Sequence, residues 1–360
     1  MIFLQNDYSL GAHPKVLQAL VDTNLENTLP YGEDEYCAAA ADRIRDMIGR
    51  PDAAVHFLTG GTQTNQTALA AFLQRPHYSV ISADTGHICV HETGAIEATG
   101  HKINHVASED GKLTPEGIEH VMFLHEDEHW VSPKGIYISN STETGLIYSR
   151  RELLDLRACC NKHGLFMYLD GARLAMALTS EKNLTASASD EECGAADGPV
   201  DFKFLGWICD AFYIGGTKCG ALFGEALVIL NDALKSEMRP LIKQRGGMIA
   251  KGRLLGVQFD TLLADNLYLD LGANANRMAK LLADGIRAKA AADPSKGYEF
   301  IAPFETNMIF ILVPKEMVPQ LAEKAAFETY PVVTDTHQGI RLVTSWATTE
   351  EEVNAFLDLL

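Results

Sequence analysis

Basic residues are scarce in this 360-residue chain: 30 Lys and Arg stand against 48 Asp and Glu, a formal net charge of −18. A surface of that sign repels nucleic acid and anionic membranes, so neither is an expected partner. Any anionic ligand must then be held by local cations and backbone amides against the overall field. There is no run of about 18 apolar residues, so no membrane span is expected. The opening Met1-Ile2-Phe3-Leu4-Gln5-Asn6-Asp7 lacks a basic start and a long apolar stretch, so a signal peptide is not expected and a cytoplasmic location is. The 7 cysteines are scattered, with no CxxC pair and no His/Cys ligand spacing, which argues against a zinc site. They read as small buried hydrophobes in a reducing compartment. GxGxxG and Walker A sequences are both missing, so the nucleotide-binding templates do not apply, and no internal repeat is visible.

What the chain has is apolar material in ordinary proportion, 47% hydrophobic against 22% charged, and a length that suits one large and one smaller domain. Strand-like runs at Val55–Leu58, Ser79–Ala83, Gly135–Ser139, Leu165–Leu169, Ala211–Ile214 and Ala226–Leu230 alternate with helical spacing such as Ala68–Leu73 and Arg150–His163. That alternation predicts an α/β fold with a mainly parallel central sheet and helices on both faces. From about residue 246 the pattern becomes a long helical region, Ile249–Ala290, then a strand Asn307–Val313, a helix Glu316–Ala325, a strand Ile340–Thr344 and a helix from Thr348. The expected organisation is an N-terminal arm and short helix over 1–20, a large domain over 21–246 and a smaller α+β domain over 247–360. Residues 180–198, rich in Ala, Ser, Asp, Glu and Gly, read as an exposed loop or inserted excursion.

Four strand ends carry residues with chemistry. In Phe212-Tyr213-Ile214-Gly215-Gly216-Thr217-Lys218 a buried strand runs into a Gly-Gly turn and a lysine. Partial desolvation there would lower the amine's proton affinity and suit it to form a Schiff base, although a plain turn lysine has the same wording. In Phe166-Met167-Tyr168-Leu169-Asp170-Gly171-Ala172-Arg173 a carboxylate closes a strand, at the edge where open α/β sheets bind ligands. Asp170 there can hold a protonated pyridine nitrogen and Arg173 can fork onto a substrate carboxylate; a helix cap and a structural ion pair are the competing readings. Thr59-Gly60-Gly61-Thr62-Gln63 opens a helix after a strand, and the free N–H groups of Gly61, Thr62 and Gln63 can cradle a phosphate, or simply form a turn. His87, after another strand, can stack on a flat heteroaromatic ring, though a lone histidine is more often structural.

Taken in order, these stretches resemble the low-specificity L-threonine aldolases, within the β-eliminating lyases of the fold-type I pyridoxal-phosphate (PLP) enzymes. The likeness rests on Asn6-Asp7-Tyr8-Ser9, Tyr31-Gly32-Glu33-Asp34, Gly61-Thr62-Gln63-Thr64-Asn65, His87 with Glu92, Asp170-Gly171-Ala172-Arg173, Gly216-Thr217-Lys218 and Arg341-Leu342-Val343-Thr344-Ser345-Trp346. It implies a PLP-dependent transferase-like fold and the aldol cleavage of a β-hydroxy-α-amino acid to glycine and an aldehyde. It implies that Lys218 attaches the cofactor, with Thr217 beside it, that Asp170 meets the pyridine nitrogen and that His87 stacks on the ring. Gly61, Thr62 and Gln63 would take the phosphate, Arg173 and Arg341 the substrate carboxylate, and Asn6 would lie near from the arm. Tyr31, and Lys251 or Arg253, would serve a site shared with a neighbouring subunit in a homodimer or tetramer. Where some members carry a histidine, Ser141-Thr142-Glu143-Thr144-Gly145 places Glu143, so the base for the β-hydroxyl is open among His87, His91, Glu143 and a water. Other PLP reactions, transamination among them, or a silent PLP-fold protein remain alternatives on the same scaffold.

Overall fold

The computed structural model describes residues 1–186 and 197–360; the middle of the segment expected to be an exposed excursion lies outside the described residues. In chain order the strands are β1 (Ile2–Phe3), β2 (Ala54–Leu58), β3 (Tyr78–Ala83), β4 (Lys102–Val106), β5 (Ser132–Ser139), β6 (Phe166–Asp170), β7 (Ala211–Gly215), β8 (Glu225–Ile229), β9 (Glu299–Phe300), β10 (Met308–Pro314), β11 (Ala325–Ala326), β12 (Glu328–Val333) and β13 (His337–Val343). A seven-stranded sheet has the order β2-β8-β7-β6-β5-β3-β4. Its strands pair in parallel except β8, which runs antiparallel to both neighbours.

The sheet is covered on both faces, which is why its strands read as almost unbroken apolar runs. Ile136, Ile138, Met167, Leu169, Phe212 and Ile214 point to one face, against the helices Glu35–Ile48, Arg150–His163 and Phe202–Ile208. The alternate residues Tyr137, Tyr168 and Tyr213 point to the other, against the helices Gly61–Phe72 and Met238–Gln244. Helix ends are marked by local chemistry. Ser149 and Glu152 form a capping box at the start of Arg150–His163, and Gly164 (φ 64°) ends it in the left-handed region.

The expected long helical region is two helices, Arg253–Leu262 and Leu267–Ala292, broken where Asp265 and Asn266 take φ of 50° and 62°. The first packs on Glu35–Ile48 at Gly256, where a Cβ would lie 2.4 Å from the Cys37 nitrogen. The change of core therefore falls within Leu267–Ala292, whose Ala275 belongs to the first core and whose Met278–Ile286 turns pack on β10 and β13. The smaller sheet is antiparallel, β12-β13-β10-β9. The arm does not stand apart: β1 pairs in parallel with β11, and Leu4 is fully buried in the smaller sheet's core.

Candidate active site

The C-terminal ends of β2, β3, β5, β6 and β7 and the start of β8 share one edge. Leu58 and Gly215 both pair with Glu225, Ser139 with Asp170, and Ser82 with Tyr137. Two glycine pairs bring the loops at that edge into contact. A Cβ on Gly171 would sit 1.9 Å from the Tyr213 carbonyl oxygen, and one on Gly215 would sit 2.5 Å from that of Ala172. Only glycine permits that approach, and Gly215 N–H donates to the Gly171 oxygen at 3.0 Å. The turn after Asp170 is thereby packed against the turn that ends in Lys218.

Asp170 is buried and its oxygens accept four hydrogen bonds. Tyr137 Oη (2.6 Å) and Asn65 Nδ2 (3.1 Å) donate to Oδ2; Tyr213 Oη (2.5 Å) and the Ala172 N–H (3.0 Å) donate to Oδ1. Burial, then the Asp170 charge, holds both phenols far above their ordinary range, so both keep their protons and donate. His87 Nδ1 meets Glu92 Oε1 at 2.8 Å. Burial alone would push the imidazole down; the Glu92 hydrogen bond and the charge of Asp170 outweigh it and raise His87 above its usual value. Glu143 Oε1 accepts from the His87 N–H (3.0 Å) and from Ser139 Oγ (2.7 Å), and burial with Asp170 pushes its carboxyl up. His91 lies at the rim with its ring 5.4 Å from that of His87; burial, His87 and Arg341 push it down.

Lys218 Nζ makes no hydrogen bond or ion pair among the described residues; it sits 6.0 Å from the Tyr8 ring centroid. Burial and the neighbouring Arg173 lower its proton affinity, against the pull of Asp7, Asp170 and Glu225. The other cations are already engaged. Arg173 is held by Asp7, Nε to Oδ2 at 2.6 Å and Nη2 to Oδ1 at 3.0 Å, and Asn307 Nδ2 adds 3.0 Å to the same Oδ2. Arg341 Nη2 meets Glu328 at 2.5 Å, while its buried Nε has no partner among the described residues. Thr217 donates to Glu225 Oε1 at 2.9 Å and accepts from the Gly224 N–H, so its hydroxyl is used within its own loop.

At the helix Gly61–Phe72, Gly60 is extended and offers no side-chain cap, which leaves the first N–H groups free, as a phosphate cradle requires. The Gln63 side chain instead clamps the turn, accepting from Thr59 and donating to the Arg245 carbonyl at 3.0 Å. Asn6 folds onto its own arm, accepting from Tyr8 N–H and Ser9 Oγ. Tyr31, at φ 61°, lines a separate 240 Å³ cavity with His56 and Arg239, and Lys251 is exposed. Among the described residues one trio could approach a metal, Glu119, Cys159 and His163, at the far end of the sheet, and Lys162 already pairs with Glu119.

Sequence reasoning missed Asp7, Asn65, Tyr137, Tyr213 and Glu225 as site residues. The tyrosines carried a readable signal, since each stands between two apolar residues of its strand, Tyr137 between Ile136 and Ile138 and Tyr213 between Phe212 and Ile214, and so faces the other way.

An amine unpaired among the described residues, a carboxylate ringed by donors, an imidazole biased toward holding its proton and an uncapped helix start on one edge fit PLP, and with this sheet order they define a fold-type I PLP enzyme. The solved threonine aldolase of Leishmania major superposes with a TM-score of 0.92 at 43% identity, covering 100% of this chain and 98% of that one. An aspartate aminotransferase variant of Thermus thermophilus, at 15% identity and a TM-score of 0.66, shares the fold over 100% of this chain and 90% of its own. Residues 10–312 match the Beta-eliminating lyase family, and the chain belongs to it. Low-specificity L-threonine aldolases of a Pseudomonas species (strain NCIMB 10558) and of Pseudomonas aeruginosa are 32% and 31% identical to it, each over 98% of this chain and 94% of the relative. No helix among the described residues is long and apolar enough to cross a membrane.

Proposed function

We propose that the protein cleaves a β-hydroxy-α-amino acid of the threonine or allo-threonine type to glycine and an aldehyde, in the cytoplasm. Pyridoxal phosphate supplies, when bound, an aldehyde carbon for covalent capture of amines and a ring that takes up electron density from the breaking Cα–Cβ bond. The observation that carries the reading is Lys218: an amine with no partner among the described residues, its proton affinity lowered, near enough to Asp170 to feel the charge of a carboxylate that four donors hold in place.

The chain's own groups do the rest. Lys218 would hold the cofactor covalently, Asp170 its pyridine nitrogen, His87 the face of its ring, and the N–H groups of Gly61, Thr62 and Gln63 its phosphate. Of the two arginines, Arg341 is the better placed for a substrate carboxylate. Its partner Glu328 is 40% exposed and exchangeable, whereas Asp7 on Arg173 is fully buried. For the β-hydroxyl proton, His91 is the better base, because it stays neutral near pH 7 while Glu143 is biased to keep its own proton. A patch of exposed Leu17, Val21, Leu25 and Leu29 supports self-association as a dimer or tetramer, with Tyr31 and Lys251 turned to a neighbouring subunit's site.

The test is the absorbance spectrum of the purified protein with pyridoxal phosphate and a panel of amino acids scored for glycine and aldehyde. A visible band that Lys218→Ala abolishes, with glycine released from threonine, is the expected result. Pyruvate and ammonia in place of aldehyde, or a band that survives in Lys218→Ala, would overturn the reading.

A further inference from the structure

One side chain outside the expected set links the two residues that would meet the cofactor ring. Asn65 is fully buried on the helix Gly61–Phe72, and its single NH2 group donates to Glu92 Oε1 at 2.7 Å and to Asp170 Oδ2 at 3.1 Å. Its amide orientation is fixed from behind, because Tyr168 Oη donates to Asn65 Oδ1 at 3.0 Å. Two carboxylates accept on one side and a phenol donates on the other; asparagine is the residue that offers two donors and an acceptor in that geometry. The contacts continue in both directions. Glu92 reaches His87 Nδ1 at 2.8 Å, and its buried Oε2 has no partner, so among the described residues His87 and Asn65 are its side-chain support. Asp170 accepts from Tyr137, and nearby Ser139 donates to Glu143 at 2.7 Å, which also accepts the His87 backbone N–H. One chain of hydrogen bonds thus runs from the His87 imidazole through Glu92 and Asn65 to Asp170, while Glu143 holds the His87 backbone separately.

We propose that Asn65 is a positioning residue for the cofactor: it ties the Asp170 carboxylate to the Glu92–His87 pair, so that the group under the pyridine nitrogen and the group over the ring act as one unit. The proposal rests on the reading of the site as a PLP centre. Its physical content is a coupling. Without the Asn65 donor, Glu92 is no longer aimed at His87, and the imidazole loses the contact that supports its proton against burial. The titratable groups facing His87 are Glu92, Asp170, Glu143, Lys218 and His91; of these, Glu92 alone hydrogen-bonds its ring. Loss of positive charge over the cofactor would make proton uptake there easier.

The experiment is a pH titration of the visible band in the holoenzyme of wild type, Asn65→Ala and Tyr168→Phe, alongside cofactor affinity measured by titrating the apo-protein. Asn65→Ala is expected to raise the apparent pKa of the band by about one unit and to weaken cofactor binding about tenfold or more. Tyr168→Phe, which keeps both carboxylate contacts and removes only the orienting donor, is expected to move the pKa in the same direction by less. If Asn65→Ala holds no cofactor, the Tyr168→Phe titration decides the question. A band that titrates as in wild type in the variants that bind cofactor, even with lowered thermal stability, would assign Asn65 a merely structural role and overturn the proposal. A wild-type protein with no visible band at any cofactor concentration would instead bring down the PLP reading itself.

Discussion

Replacing Asp7 by alanine should destabilise the protein more than any other single change in the arm. Asp7 is fully buried and Arg173 nearly so, and the pair is joined by two hydrogen bonds with a third from Asn307. Burial alone would raise the Asp7 carboxyl; Arg173, Lys218 and the hydrogen bonds from Arg173 and Asn307 more than offset it and hold the group below its usual range. Removing the carboxylate leaves the Arg173 guanidinium buried without an anion, a change that costs about 3–5 kcal/mol, and solvent does not screen a pair this buried. The loss acts on three places at once, because Asp7 joins the arm to the end of β6 through Arg173 and to the smaller sheet through Asn307.

Urea unfolding of the apo-protein, read by fluorescence and circular dichroism together, measures it. Two controls sharpen the result. Asp7→Ala with Arg173→Leu should recover at least half of the loss, since the stranded charge goes too. The pH dependence has a definite sign. A carboxyl with a depressed folded pKa contributes stability that is present above its unfolded value, 3.8, and is lost as pH falls through the lower folded value. Wild type should therefore lose stability below about pH 4 more steeply than Asp7→Ala. An Asp7→Ala variant within about 1 kcal/mol of wild type at pH 7 would refute the assignment of this pair as a buried tether.

Arg341→Leu should raise KM for the amino acid roughly 10- to 100-fold with a smaller effect on kcat, the loss of about 1.5–3 kcal/mol of charge-assisted hydrogen bonding, read by steady-state kinetics. Glu225 is buried behind Thr217, and burial is the chief cause that pushes its carboxyl up to about 8. Its neutral form is favoured in the fold, so its share of stability is complete below its ordinary 4.5 and drains away as pH rises to about 8; Glu225→Gln should flatten the stability profile between those values in urea melts. Gly171→Ala drives a methyl into the Tyr213 carbonyl and should cost about 1–3 kcal/mol or more, with weakened cofactor capture as the Asp170 and Lys218 turns part.

Much of this was legible in the chain. Each strand of the central sheet except β4 announced itself as an apolar run, and the residues that matter stood at the strand ends, where open α/β sheets place their ligands. β4 (Lys102–Val106) was missed because Lys102, Asn104 and His105 break the apolar pattern of an edge strand. The reversal of β8 follows from its short connection to β7, a distance too small for a parallel crossover, although the run itself reads the same in either direction. The break at Asp265–Asn266 was hidden because neither residue is a glycine and both nonetheless take positive φ.

The partners of the arginines could not be read at all, since Asp7 meets Arg173 across 166 positions of chain and Glu328 meets Arg341 only through the pairing of β12 with β13. They bear on how a chain with a net charge of −18 can hold the carboxylate of an amino acid. A cation left bare in the site would be exposed to competing anions, whereas one neutralised by a buried acid would be lost to substrate. Arg173 has the buried acid; Arg341 lies between the two cases, neutralised by an acid that water can reach. Asp7, at 0% exposure, keeps Arg173 as part of the scaffold beside Lys218, where its positive charge helps to lower the amine's proton affinity. On the proposed reading, Glu328, at 40% exposure, would swing into water and yield Arg341 to an incoming carboxylate, with the Arg341 Nε, unpartnered among the described residues, as a second donor. On that reading, substrate binding would be an exchange of one carboxylate for another at Arg341, which would let a strongly acidic protein hold a substrate carboxylate.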